Sequence, residues 1–175
     1  NEVLLMKYLL KNTTDKNAKA YLINHFLDQF KGTIYRQTMF AEFELEMGKM
    51  SENGETLTAD ALCKKYYELN KLYFGPDMVS DEEIALEWSR IPHFFYNYYV
   101  FQYATGFSAA VAIANRILKE GAPAVADYKK FLSGGCSTDP ISLLKIAGVD
   151  MSSPLPVQQA METFNQLLDE FESLL

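Results

Sequence analysis

The sequence predicts an all-α fold. Apolar residues recur at helical spacing along nearly the whole chain, and no run alternates apolar and polar residues for long enough to propose a strand. The breaks between the periodic stretches carry helix caps and stops. With 175 residues, 49% hydrophobic and 22% charged, the chain can bury the core of one domain. Residues 1–175 read as a single helical domain, with no internal repeat, low-complexity tract or linker.

Taken in order, residues 1 to 11 form a helix ended by Asn12-Thr13-Thr14. Asp15 then caps a long helix running to about Met50. Leu22, Phe26, Phe30, Phe40, Phe43 and Met47 keep mostly helical spacing along it, and Gly32 marks a bend or a close contact. Asn53-Gly54 makes a turn. Thr58 caps the next helix, with Leu62, Tyr66, Leu69 and Tyr73 on its apolar side, and Gly75-Pro76 stops it. Ser80 with Glu83 reads as a capping box at the start of another helix, which carries Ile84 and Trp88 and ends before Pro92. An aromatic helix follows to about Leu118, its second half rich in Ala104, Gly106, Ser108, Ala109, Ala110, Ala112 and Ala114. Gly121 and Pro123 divide it from a helix ending near Phe131. Asp139-Pro140 starts a short helix closed by Gly148, and Ser153-Pro154 repeats that device before a last helix. The expected apolar stripe of that helix is Val157, Met161, Phe164, Leu168, Phe171 and Leu175.

Composition excludes several function classes. A formal charge of −7 and a pI near 4.9 leave no basic stripe for nucleic acid or an anionic membrane. The aromatic stretch from Phe94 to Ala114 has near-membrane length, but its tyrosines, Asn97, Gln102, Thr105 and Ser108 make it a buried central helix instead. Cys63 and Cys136 stand in no metal-like or disulfide pattern, and the start of the chain has no basic region or cleavage site, so the cytoplasm is the expected compartment.

The richest stretch chemically is IPHFFYNYYVFQYATGFSAA, residues 91 to 110. On a helix, at about 100° per residue, Tyr96, Tyr99 and Tyr103 fall within about 60° of one another and His93 within about 120°. Three phenols on one face imply either a polar groove or many internal hydrogen bonds. Ten residues of straight helix separate His93 from Tyr103 by about 15 Å. The two meet only if His93 sits on a loop or in the first turn after Pro92, with Tyr103 leaning back toward the N-terminus. His25 has no second histidine four residues away, and no His-Glu-x-x-His occurs anywhere. Glu42 and Glu44 lie about 200° apart on their helix, and Arg36 and Glu42 read as ion-pair residues.

Three separated runs, GTIYRQTMFAEFE (32 to 44), RIPHFFYNYYVFQYATGFSAA (90 to 110) and LSGGCSTDPISLLKIAGVDMSSP (132 to 154), resemble in order the C-terminal region of the oligoendopeptidase F family, relatives of thimet oligopeptidase. The resemblance implies a multi-helix C-terminal domain of a zinc-dependent endopeptidase of short peptides. It further implies that the His-Glu-x-x-His helix and the third zinc ligand lie upstream, so that zinc belongs to the full-length protein and none is expected in these 175 residues. Glu2 resembles a family glutamate expected to accept a hydrogen bond from a zinc-bound histidine. His93 and Tyr103 resemble the histidine and tyrosine directed at the substrate opposite the metal, where they stabilise the oxyanion. Tyr99 and Tyr96 are alternatives for the tyrosine role. The expected partners are short peptides, with self-association through apolar surface bared by truncation as a further expectation. The competing class is a non-catalytic helical module that binds another protein through its aromatic groove. A His-Glu-x-x-His a few tens of residues before Asn1 in the parent reading frame would support the peptidase, and its absence the binding module.

Overall fold

Side-chain caps start three helices where the sequence places them. In the computed structural model, which describes residues 1–175, Asp15, Thr58 and Asp139 accept the N–H groups of Ala18, Ala61 and Ser142 at 2.8, 3.2 and 2.9 Å. Each satisfies a first-turn donor that the helix itself cannot, a contribution of about 1 kcal/mol. The helices in chain order are α1 (Glu2–Asn12), α2 (Lys16–Phe30), α3 (Arg36–Glu52), α4 (Ala59–Phe74), α5 (Phe101–Glu120), α6 (Ala122–Ser133), α7 (Pro140–Ile146) and α8 (Leu155–Leu174). A π-helical turn, Lys31–Tyr35, lies between α2 and α3, and two 3₁₀ segments, Glu82–Arg90 and Pro92–Phe95, precede α5. The fold is all-α, as the periodicity predicts. None of the helices is long and apolar enough to cross a membrane.

The chain groups into two compact units, residues 1–31 with 105–175, and residues 32–104. In the first, α1 packs on α2, α2 on α8, and α6 on α7. Phe30 is central there, its ring 5.2, 5.1 and 5.6 Å from those of Phe26, Phe107 and Phe164. The small residues Ala109 and Ala112 of α5, with Ile113, pack on Ala147 and Val149. Arg116 closes that cluster by donating to the Ala147 carbonyl at 2.8 Å and to Asp127 at 2.9 Å. A side chain at Gly148, where φ is +81°, would overlap the guanidinium.

In the second unit α3 packs on α4, and α4 on the 3₁₀ segment Glu82–Arg90. Met39, Phe40, Phe43, Leu62, Tyr66, Leu69, Ile91 and Val100 form its core. Glu87 is buried beside it. Glu87 accepts from Arg36 at 2.5 Å and from the Tyr66 hydroxyl at 2.6 Å, and also from Arg90. Burial pushes its carboxyl up, but the bonds from Tyr66 and Arg36 and the two guanidinium charges outweigh that and hold it below the ordinary glutamate value. The Tyr66 phenol is pushed far up, by burial first and by Glu87 second, so it remains a donor.

Several expected details differ. Ser80 does not cap a helix. Its hydroxyl donates to Asn70 at 3.0 Å, Asp81 takes the N-cap position without a side-chain bond, and Glu82–Arg90 winds as 3₁₀ helix. Pro154 rather than Ser153 precedes α8, and the buried face of α8 is Pro156, Ala160, Thr163 and Leu167. That face is rotated from the predicted stripe: Ala160 is fully buried and the Thr163 hydroxyl accepts from Asn115 of α5 at 3.0 Å, whereas Val157 is exposed and Met161, Phe164 and Leu168 are half-buried. The Gly32 interruption is real and takes the form of the π turn. The largest difference is in the aromatic stretch. It is not one buried helix: α5 begins only at Phe101, and Phe95, Tyr96, Tyr98, Tyr99 and Tyr103 are all exposed.

Because the lowered carboxyl of Glu87 favours the folded state, its contribution is complete above the ordinary glutamate value, about pH 4.3, and is lost as pH falls through its folded-state value. Glu87→Ala leaves Arg36 and the buried Tyr66 hydroxyl without their acceptor. It should lower stability at pH 7 by about 3 kcal/mol, measured by urea unfolding, with the gap to wild type narrowing below about pH 4.

Candidate functional site

The site begins with a change of backbone direction. Ile91 is extended at φ −93°, ψ 103°, as the residue before a proline must be. Pro92–Phe95 then makes a single 3₁₀ turn. Asn97 and Tyr98 follow with φ of +51° and +59°. These are left-handed values that cost an ordinary residue about 1 to 2 kcal/mol each and Asn less. Two such residues in succession break the helical path, and α5 resumes at Phe101.

The break brings His93 and Tyr103 together. Their Nε2 and hydroxyl oxygen are 3.0 Å apart, although a continuous helix would hold the two residues about 15 Å apart along its axis. His93 lies in the first turn after Pro92 and Tyr103 in the first turn of α5, the arrangement that the distance argument requires. Tyr99 stacks on the imidazole with ring centres 5.8 Å apart and an interplanar angle of 18°. Tyr96 meets it edge-on at 5.9 Å, and Tyr99 meets Tyr96 and Tyr103 edge-on at 6.1 and 5.8 Å. All four ring residues singled out in the sequence therefore cluster, but through a turn rather than through one helix face. Glu2 lies in the other unit, exposed in the first turn of α1.

The Tyr103 phenol is raised above its ordinary value, by burial first and then by a hydrogen bond with Tyr99 and the neighbouring phenols. It stays protonated throughout the neutral range and keeps its capacity to donate. The imidazole half of the pair has two settings. If Nε2 carries the proton, His93 donates to the Tyr103 oxygen and leaves the phenolic hydrogen to point elsewhere; if Nδ1 carries it, Tyr103 donates to His93.

Sequence reasoning missed what seats the turn. Residues Arg36, Phe40, Glu44 and Gly48, spaced by four, run along one face of α3. Arg36 reaches Glu87 and stacks its guanidinium 4.8 Å above the Phe40 ring. Phe40 and its neighbour Phe43 hold Phe94 edge-on at 5.5 and 5.1 Å. Buried Glu44 accepts the backbone N–H of Tyr98 at 2.6 Å. The Tyr98 hydroxyl lies over Gly48, where a Cβ would overlap it. Glu42, on another face, accepts from Tyr73 at 2.7 Å and ties α3 to α4. The signal available in sequence was Gly48 itself, a glycine inside a helix that propensity alone does not explain.

Residues 1–163 match the family model described as Peptidase family M3. This chain belongs to that family. It is 57% identical over its whole length to oligopeptidase PepF of Bacillus subtilis (strain 168), of which it covers 26%. It is 42% identical, again over its whole length, to the chromosomal oligoendopeptidase F of Lactococcus lactis subsp. cremoris, covering 29% of it. The crystal structure of oligoendopeptidase-F from Enterococcus faecium superposes with a TM-score of 0.93 at 49% identity, over 97% of this chain and 33% of that one. The chain thus spans between a quarter and a third of the length of these relatives, and its fold is that of a helical region of oligoendopeptidase F.

The residues present do not by themselves fit the zinc that the family resemblance implies. No three His, Cys, Asp or Glu side chains converge where a metal ion could be held. His25 is exposed on α2, with its Nε2 3.4 Å from the amide nitrogen of Gln29.

The raised phenol gives a direct check. In a titration followed by the Cζ resonance of Tyr103, the group should remain protonated beyond pH 10, its ordinary midpoint. Tyr99→Phe, which removes the second cause of the shift, should bring the midpoint down toward 10.

Proposed function

We propose that this chain is the C-terminal part of a longer M3 oligoendopeptidase that hydrolyses short peptides, and that His93 and Tyr103 donate hydrogen bonds to the scissile carbonyl oxygen. The observation that carries the reading is the 3.0 Å pairing of the two groups, achieved by a costly backbone turn instead of the helix that local propensity favours. Strained backbone that brings polar groups together at a surface is a common mark of a functional site.

The chemistry follows from the donors. As a peptide carbonyl becomes tetrahedral its oxygen gains negative charge, and fixed donors about 3 Å from that oxygen lower the barrier. With the proton on Nε2, His93 donates to the Tyr103 oxygen in the free site, and on substrate binding that N–H turns to the carbonyl oxygen beside the phenolic hydrogen. A raised phenol suits this role, since it gives a hydrogen bond without ionising at neutral pH. Tyr99, stacked on the imidazole, fixes the ring plane, and exposed Tyr96 and Phe95 offer apolar area to a peptide side chain. In this reading zinc is held by residues outside these 175, and Glu2 orients a ligating histidine through a hydrogen bond.

The test uses the full-length protein and a short fluorogenic peptide. His93→Ala and Tyr103→Phe should each lower turnover by at least about 10²-fold, the effect of removing one oxyanion donor, while unfolding temperatures stay near wild type. Wild-type turnover in both variants would refute the assigned roles.

A further inference from the structure

The seat of the turn lies outside the paired rings, and its parts act on one another in a way that the proposed donors need. We propose that Glu44 and Gly48 of α3, acting through Tyr98, are positioning residues that set the distance between His93 and Tyr103. This rests on the reading of those two groups as substrate donors.

Between the 3₁₀ turn that carries His93 and the first turn of α5 that carries Tyr103 stand the two left-handed residues Asn97 and Tyr98. Whatever fixes them fixes the separation of the rings. Tyr98 is a poor choice for a left-handed position, because its Cβ crowds the backbone there, so the surroundings must hold it. Two contacts do so from α3, one full turn apart on the same face. Glu44 Oε1 takes the Tyr98 N–H, a charge-assisted or neutral bond to a buried acceptor. Gly48 leaves the space that the Tyr98 ring end fills, with its ring Cζ 3.6 Å from where a Cβ would stand and its hydroxyl oxygen inside contact distance of that point. One contact grips the backbone of the turn and the other sets the side-chain direction, so rotation about either is opposed by the other. Upstream, Phe94 is pinned by Phe40 and Phe43, and Ile91 is in the core. Downstream, Val100 is fully buried. The free length between fixed points is thus short, and the only soft part left is the turn that Glu44 and Gly48 hold.

The prediction separates positioning from simple stabilisation. In the full-length protein, Glu44→Ala and Gly48→Ala should each lower kcat by at least about 10-fold with KM nearly unchanged, since a donor displaced by about 1 Å can cost about 10²-fold. Glu44→Gln keeps an acceptor oxygen in place and should recover most of the lost rate. Gly48→Ala combined with Tyr98→Phe should also recover, because the overlapping atom is the hydroxyl oxygen alone and the ring carbon behind it is at ordinary contact distance. A crystal structure of Gly48→Ala should show the His93 to Tyr103 bond broken, and the double variant should restore it. If Gly48→Ala and Glu44→Ala keep wild-type kcat while His93→Ala is slow, the positioning role is overturned. It is equally overturned if the double variant is no faster than Gly48→Ala, or if the bond survives unchanged in the Gly48→Ala crystal. If Glu44→Ala fails to fold, the Gly48 pair decides. Should His93→Ala and Tyr103→Phe prove as fast as wild type, the donor reading fails, and the crystallographic distances alone decide whether α3 sets the geometry.

Discussion

One face of α3 is the constraint on which the unit spanning residues 32–104 depends. Arg36, Phe40, Glu44 and Gly48 repeat every four residues over about 18 Å of helix, and each receives a successive piece of the segment of 3₁₀ helix and turn between α4 and α5. Arg36 takes Glu87, Phe40 takes Phe94, Glu44 takes the Tyr98 amide and Gly48 takes the Tyr98 ring end. The left-handed pair Asn97 and Tyr98 between the 3₁₀ turns and α5 is unfavourable by itself, so its shape has to be borrowed from a neighbour. A regular helix supplies that template because its positions are fixed by its own backbone ladder before the segment arrives.

The template combines two kinds of interaction with different roles. Aromatic contacts around Phe43 and Phe94 remove apolar area from water and tolerate small shifts. The polar contacts do not. Glu87 and Glu44 are both nearly inaccessible, and an acid left there without donors would cost more than the apolar contacts return. Every buried side-chain nitrogen or oxygen in the chain has a partner, so the buried acids act as register marks: sliding the segment by one residue would strand Glu44 and Glu87 together. This is the use of buried polar groups best supported in other systems, a choice among alternatives rather than a gain in stability.

Much of the fold was legible from the chain alone, for local reasons. Asp15, Thr58 and Asp139 cap helices because their short side chains reach their own first turn, and Gly75, Gly121 and Gly148 adopt positive φ where the chain turns. The Ser80 cap failed because Asn70, ten residues away, competes for its hydroxyl, a tertiary contact that no local pattern reports. The aromatic stretch misled for a related reason. Tyr96, Asn97 and Tyr98 read as helix because the residues around them are apolar and continuous, and only contacts from α3 make a left-handed turn affordable there. The membership of the ring cluster was nevertheless legible, since His93 and Tyr103 can meet only across a break and the sequence offers Pro92 to begin one. The roles of Glu44 and Gly48 were not: a glycine inside a helix flags position 48, but what the two residues support shows only in what they touch.

In the proposed reading, the arrangement also explains how a site that binds and releases peptides can be built from exposed rings. The bond between His93 and Tyr103 is at the surface, where a hydrogen bond contributes only about 1 kcal/mol net because water competes for both partners. Exchanging it for a bond to a substrate oxygen therefore costs little. The backbone positions of the same residues are another matter, being set by buried rings and a buried acid that cannot exchange with solvent. In the proposed reading, preorganisation resides in α3 and adaptability in the last few atoms of the imidazole and the phenol. Moving the rigidity into the rings themselves would make the donors harder to redirect, and moving the softness into the turn would let the donors drift from the distance at which they act.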